Sequence, residues 1–199
     1  LKTWVKLVTK GSFRRASITN QEFDESLLEK HAEGLICLSA CIQGKIPRLI
    51  LNDQVKQAEE LALKYQELFG KDSFYLELQH HENIPEQFKV NKALKEISQK
   101  LNIPLAATND IHYLKKEDNE AQDILMLINT GADVDDPERL SMKADDFSMT
   151  SPEEMAELFK DYPGAIENTQ KIAELCNFEF ELDKIRLPNF EVPDDRTPG

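Results

Sequence analysis

The chain has 199 residues, 40% of them hydrophobic and 31% charged, enough to bury one core and ordinary for a globular domain. Its 37 acidic against 24 basic side chains give a formal net charge of -13, so the surface as a whole repels nucleic acid, whose binding rests on neutralised phosphates. Three cysteines, an odd number, provide no disulfide framework and suit a reducing compartment, and the longest apolar runs, such as Ile124–Ile128, are too short to span a bilayer.

Apolar residues at Trp4, Val5, Leu7 and Val8 predict the tail of an amphipathic helix over 1–10, followed by loop or short extended structure over 11–23. The early cationic cluster of Lys2, Lys6, Lys10, Arg14 and Arg15 reads as a solvated helix face and the loop after it. Asp24 is placed to cap a helix through Ala32, a surface helix that carries His31. An apolar strand at 35–39 then runs through Gly44 and Pro47 into a short helical turn. Asp53 is expected to cap a longer helix with Val55, Ala58, Leu61, Ala62 and Tyr65 on one face, stopped by Gly70.

A second strand spans Ser73–Gln79, and a helix from about Pro85 to Lys100 turns Phe88, Val90, Ala93, Leu94 and Ile97 inward. A third strand, 104–108, precedes a helix from about Lys116 to Asn129. Three strand-then-helix units at this spacing imply parallel strands with right-handed crossover helices, and the incomplete count suits a barrel cut part-way round. Beyond Gly131 the segment "ADVDDPERLSMKADDF" is acidic and turn-prone, most simply a solvated connection. Ser151-Pro152-Glu153-Glu154 is a strong helix start, Pro163 opens another helix, and Cys176 belongs on its apolar face. The Pro-rich end reads as extended linker.

Chemistry concentrates at the strand ends. In extended backbone Asp110 and His112 project to one side, where a carboxylate and an imidazole can grip a divalent metal or merely share a hydrogen bond that orients the loop. Cys41 ends the 35–39 strand and is a plausible soft third donor, whereas Cys37, deeper in the strand, reads as a small buried hydrophobe. His81, in the loop after the second strand, falls on the same end of the sheet; solvent exposure is the simpler expectation for it and for His80.

Five segments carry a resemblance: "GLICLSACIQGKIP", "FYLELQHHENIPEQFKVN", "IPLAATNDIHYLKKED", "ILMLINTGADVDDPERL" and "SPEEMAELFKDYPGAIENTQKIAELCN". Together, from about Thr3 to Pro193, they resemble the polymerase and histidinol phosphatase (PHP) domain of bacterial DNA polymerase III alpha subunits. The resemblance implies an α/β fold, a partial (β/α) barrel with parallel strands, followed by a small helical extension. It divides the chain into a truncated PHP domain at 1–145, an appended helical segment at 146–180 and an extended linker at 181–199. The chain is expected to be a piece of such a subunit, because it has no initiating Met and lacks the His-x-His element that opens these domains.

The resemblance further implies metal ligands at Cys41, Asp110 and His112, with His81 matching the family's loop histidine near the site. The ions would be Zn, Mn or Mg, with Mg serving polymerase activity outside this segment. It departs from the family at Phe13-Arg14-Arg15-Ala16-Ser17-Ile18, at Glu120-Ala121-Gln122-Asp123 and at Cys41-Ile42-Gln43-Gly44-Lys45, where Lys45 puts a cation in the place of a common acid. Two roles follow for the intact protein, a cytoplasmic DNA-directed DNA polymerase of DNA replication. The PHP segment is either a metal-dependent phosphoesterase of the 3′–5′ exonuclease type, or a non-catalytic scaffold that docks a proofreading subunit or the sliding clamp. DNA and deoxynucleotides would be met by other domains, with no membrane involved, and the 199-residue chain alone is expected to be inactive.

Overall fold

Strand formation follows three short apolar runs, and helices pack over the central one. The computed structural model describes residues 25–179; the expectations for 1–24, including a cap at Asp24, and for the linker at 181–199 lie outside the described residues. The strands are β1 (Cys37–Leu38), β2 (Phe74–Leu78) and β3 (Leu105–Ala107), ordered β1-β2-β3 in one open, wholly parallel sheet. Cys37 lies opposite Phe74, and Leu76 opposite Leu105. Hydrogen bonds from Ser39 N to Tyr75 O (3.1 Å) and from Thr108 N to Leu78 O (2.9 Å) carry the pairing to the ends that the sequence predicts. Central β2 buries Phe74, Tyr75, Leu76 and Leu78, the continuous apolar run of a strand covered on both faces.

Around the sheet stand α1 (Glu25–Lys30), α2 (Lys45–Leu51), α3 (Val55–Phe69), α4 (Pro85–Leu101) and α5 (Asn119–Thr130), then α6 (Pro152–Leu158) and α7 (Glu167–Leu175). Ala58 and Ala62 of α3 and Val90, Leu94 and Ile97 of α4 close over β2, at the i, i+4, i+7 spacing of one helix face. The fold is thus α/β and consistent with part of a PHP-type barrel.

Several local expectations are corrected. Asp53 does not cap α3: its backbone is left-handed (φ 58°), Gln54 takes the cap position, and the Asp53 carboxylate pairs with Lys89 at 2.7 Å. Phe88 is exposed, because two residues before Val90 is nearly the opposite side of a helix; its ring meets His80 edge-on at 5.8 Å. In its stead Gln87 and Asn91 are buried, Asn91 donating to Gln79 O at 2.8 Å at the end of β2. Cys176 stands at the C-terminal end of α7 and is exposed, not core.

Ser151 and Glu154 form the anticipated capping box, with Pro152 at the first helical position of α6. The α6–α7 pair lies on the edge of β3 that β2 leaves free. Ala107 N donates to Ala165 O (2.9 Å) and Asn168 Nδ2 to Leu105 O (2.8 Å), while Phe159 and Ala165 join the main core. An edge strand carries unpaired amide groups that need partners, and this segment supplies them.

Candidate functional site

Parallel pairing sends the C-terminal ends of β1, β2 and β3 to one side, so the loops after them are neighbours. Glu77 of β2 ties these ends together. Its carboxylate accepts from Ala40 N (3.1 Å) after β1 and from Thr108 Oγ1 (2.6 Å) after β3, while its own N–H donates to Ser39 Oγ (2.8 Å). The Cys41 turn is tight: Gly44 N donates to Cys41 O (2.8 Å), and a Cβ on Gly44 would lie 2.4 Å from Ser39 O, so only glycine fits without backbone movement. Burial, and next the Glu77 charge, push the Cys37 thiol up to about 11, which keeps it protonated and inert at neutral pH.

Beyond β3 the chain turns tightly, Ile111 N donating to Asn109 O at 3.0 Å, and Asp110 and His112 meet there, Oδ1 to Nε2 at 3.2 Å. Asp110 Oδ2 faces His81 Nε2 at 3.9 Å, and His81 Nδ1 faces Asp145 Oδ2 at 3.3 Å, so four side chains run in series, Asp145–His81–Asp110–His112. His81 is buried, with a side chain only 6% exposed, which corrects the expectation of a solvent-exposed loop histidine; His80 is half-buried. The Phe147 ring packs on both imidazoles, 4.8 Å from His81 and edge-on at 5.5 Å from His112. His31 follows α1 and is half-buried.

The sequence reading missed Asp145, Phe147 and Glu77. Asp145 and Phe147 lie in the acidic run taken as a solvated face, yet both are buried while Asp146 between them is exposed. That alternation around a phenylalanine was the available signal. The run is fastened down by Arg139, whose guanidinium grips the buried Asp123 of α5 through two bonds of 2.7 and 2.9 Å, assisted by Ser141 Oγ at 2.8 Å.

These hydrogen bonds, that of Arg139 first, hold the Asp123 carboxyl well below the usual carboxylate range. A depressed carboxylate stabilises the fold at every pH above its ordinary value, and this contribution is lost only as pH falls through the depressed one, in strong acid. Arg139→Ala is expected to speed amide hydrogen exchange across 131–150 more than in β2; equal protection in variant and parent would refute the fastening.

The donors bear on a metal as follows. Ligands around one ion, with bonds of about 2.0–2.2 Å, stand about 3–4 Å apart. The Asp110–His112 and Asp110–His81 spacings of 3.2 and 3.9 Å meet this pair by pair, with nitrogen and oxygen donors suited to a divalent ion. Among the described residues no group of three or more His, Cys, Asp or Glu converges as one cluster, and Cys41 is not gathered with Asp110 and His112. Beside the series opens a cavity of about 720 Å³ lined by His80, His81, Asn83, Thr108, Asn109 and Asp145, with Lys116 and Lys143 on its walls.

The described residues thus form an open parallel sheet with histidine and carboxylate donors beyond its strand ends, and residues 1–81 match the PHP domain. The chain is 45% identical over 170 residues to DNA polymerase III subunit alpha of Treponema pallidum, covering 85% of this chain and 14% of that protein. It is 45% identical over 193 residues to that of Borreliella burgdorferi (96% and 17%) and 39% identical over 180 residues to that of Thermus aquaticus (87% and 15%). Along most of its length the chain is similar to DNA polymerase III alpha subunits, and the PHP-domain match falls within residues 1–81. It spans 14–17% of the length of these relatives. Among the described residues no helix is long and apolar enough to cross a membrane.

Proposed function

We propose that this segment is the PHP module of a replicative, DNA-directed DNA polymerase, a cytoplasmic protein of DNA replication, and that it acts as a metal-dependent phosphoesterase of the 3′–5′ exonuclease type. The observation that carries the reading is the Asp110 carboxylate shared between the His81 and His112 imidazoles at the strand ends. Asp110, His112 and His81 would hold divalent ions (Zn, Mn or Mg), and Cys41, on the neighbouring loop, would join them only if that loop moved toward them. A bound ion would activate water and stabilise charge on a phosphate. Nucleotide incorporation with Mg, and contact with DNA and deoxynucleotides, would fall to other parts of the longer protein, as would most of the surface for a proofreading subunit or sliding clamp. The 1–145, 146–180 and 181–199 divisions are retained as sequence segments of this reading.

The test is a calorimetric titration of the chain with Mn²⁺. Asp110→Ala is expected to weaken binding by roughly 10–100-fold or more, since loss of even an indirect partner of a ligand costs that much. Undiminished affinity would overturn the assignment. A second reading, a scaffold that docks partners, is favoured by the exposed Ile124, Leu125 and Ile128 on α5. It would replace the first if Asp110→Ala in the longer polymerase left hydrolysis of a DNA 3′ end unchanged.

A further inference from the structure

The buried carboxylate of Asp145 has one oxygen fully engaged and one that faces a histidine without a bond. Its Oδ1 accepts from Asn83 Nδ2 at 3.2 Å and from Asp146 N at 2.8 Å. Among the described residues its Oδ2 has no hydrogen-bond partner, and neither has His81 Nδ1, although both atoms are buried and only 3.3 Å apart. That separation is within hydrogen-bond range, so only the alignment of the pair falls short. Two buried polar atoms left unpaired would be costly, and these two face each other at 3.3 Å. The Phe147 ring, 4.8 Å from the imidazole, holds its plane, and Nε2 is left pointing toward Asp110 Oδ2.

We propose that Asp145 is a positioning residue for His81: by accepting from Nδ1–H it selects the imidazole tautomer whose Nε2 carries a lone pair toward the Asp110 side of the site. A neutral imidazole has one donor and one acceptor nitrogen, so fixing the proton on one frees the other. An Nε2 lone pair is what a cation binds, and an orienting carboxylate behind a ligating histidine both sets the tautomer and strengthens the donor. The consequence for metal rests on the reading of His81 as a donor given above; the tautomer assignment does not.

The decisive variant is Asp145→Asn, which keeps the shape of the side chain. Its single oxygen must stay with the Asn83 and Asp146 donors, so its amide nitrogen takes the place of Oδ2 and donates toward His81 Nδ1. The histidine proton is then forced to Nε2. Long-range proton–nitrogen correlation of the ¹⁵N-labelled, metal-free chain distinguishes the two tautomers directly. The parent is expected to show Nδ1–H at His81 and the variant Nε2–H. The same tautomer in both overturns the proposal. So does Nε2–H in the parent alone, which decides the matter even if the variant does not fold.

A parallel Mn²⁺ titration should show roughly 10–100-fold weaker binding by Asp145→Asn. An inverted tautomer with unchanged Mn²⁺ affinity would uphold the positioning by Asp145 and remove His81 from the metal site. No inversion would end the positioning inference whatever the ion does.

Discussion

Phe74→Ala is expected to cost about 3–5 kcal/mol of folding stability, the range for emptying a phenylalanine site in a packed core. Phe74 opens the central strand, is fully buried, and is paired on the sheet with Cys37. Its ring meets Tyr65 of α3 in a T-shaped contact with centroids 5.7 Å apart, so the deletion leaves a void between sheet and helix rather than a dimple at the surface. A domain's whole stability is about 5–15 kcal/mol, so the variant would be close to unfolding at ambient temperature. Urea titration of parent and variant measures the difference from the midpoints at a shared slope. Phe74→Leu, which keeps most of the volume, should lose far less; equal losses in the two would show that the ring does not pack as described.

Glu77→Ala is expected to cost about 2 kcal/mol and to loosen the side of the sheet that carries the site. The change strands the Ala40 N–H and the Thr108 hydroxyl, whose bonds to the carboxylate are 3.1 and 2.6 Å, and hydrogen bonds to a charged acceptor are each worth about 1.5–3 kcal/mol before solvent exposure is discounted. Ala40 is already in the left-handed region at φ 67°, so its turn depends on that outside support. Denaturation of Glu77→Ala, Thr108→Val and the double variant would give a coupling energy of roughly 0.5–3 kcal/mol if the pair acts as a unit. Strict additivity would mean that Glu77 does not link the strand ends. Hydrogen exchange should quicken in the 39–44 and 108–112 loops together, because one carboxylate holds both.

Local pattern carried the sequence reading a long way. Apolar runs followed by helix-period stretches at regular spacing define parallel strands with crossover helices, and β1, β2 and β3 pair in that sense. Pro85 and the Ser151–Glu154 box start their helices where the chain says they should, because a missing N–H and a side-chain cap are matters of neighbouring residues only. The meeting of Asp110 and His112 is likewise local, two residues apart, although a tight turn at Ile111 N–Asn109 O and not an extended strand brings it about.

What depends on residues far apart in the chain was decided by the tertiary structure. His81 is buried because Phe147 and Asp145, more than sixty positions later, cover it, and that acidic segment is buried because Arg139 finds Asp123 on α5. Phe88 faces outward although it is as apolar as its buried neighbours, since the sheet covers only one side of α4. Glu77 becomes the link between loops only once β1 and β3 lie on either side of β2. Propensity and periodicity are short-range properties of a chain, whereas burial and hydrogen-bond partnership are settled by whichever distant segments come to cover a side chain.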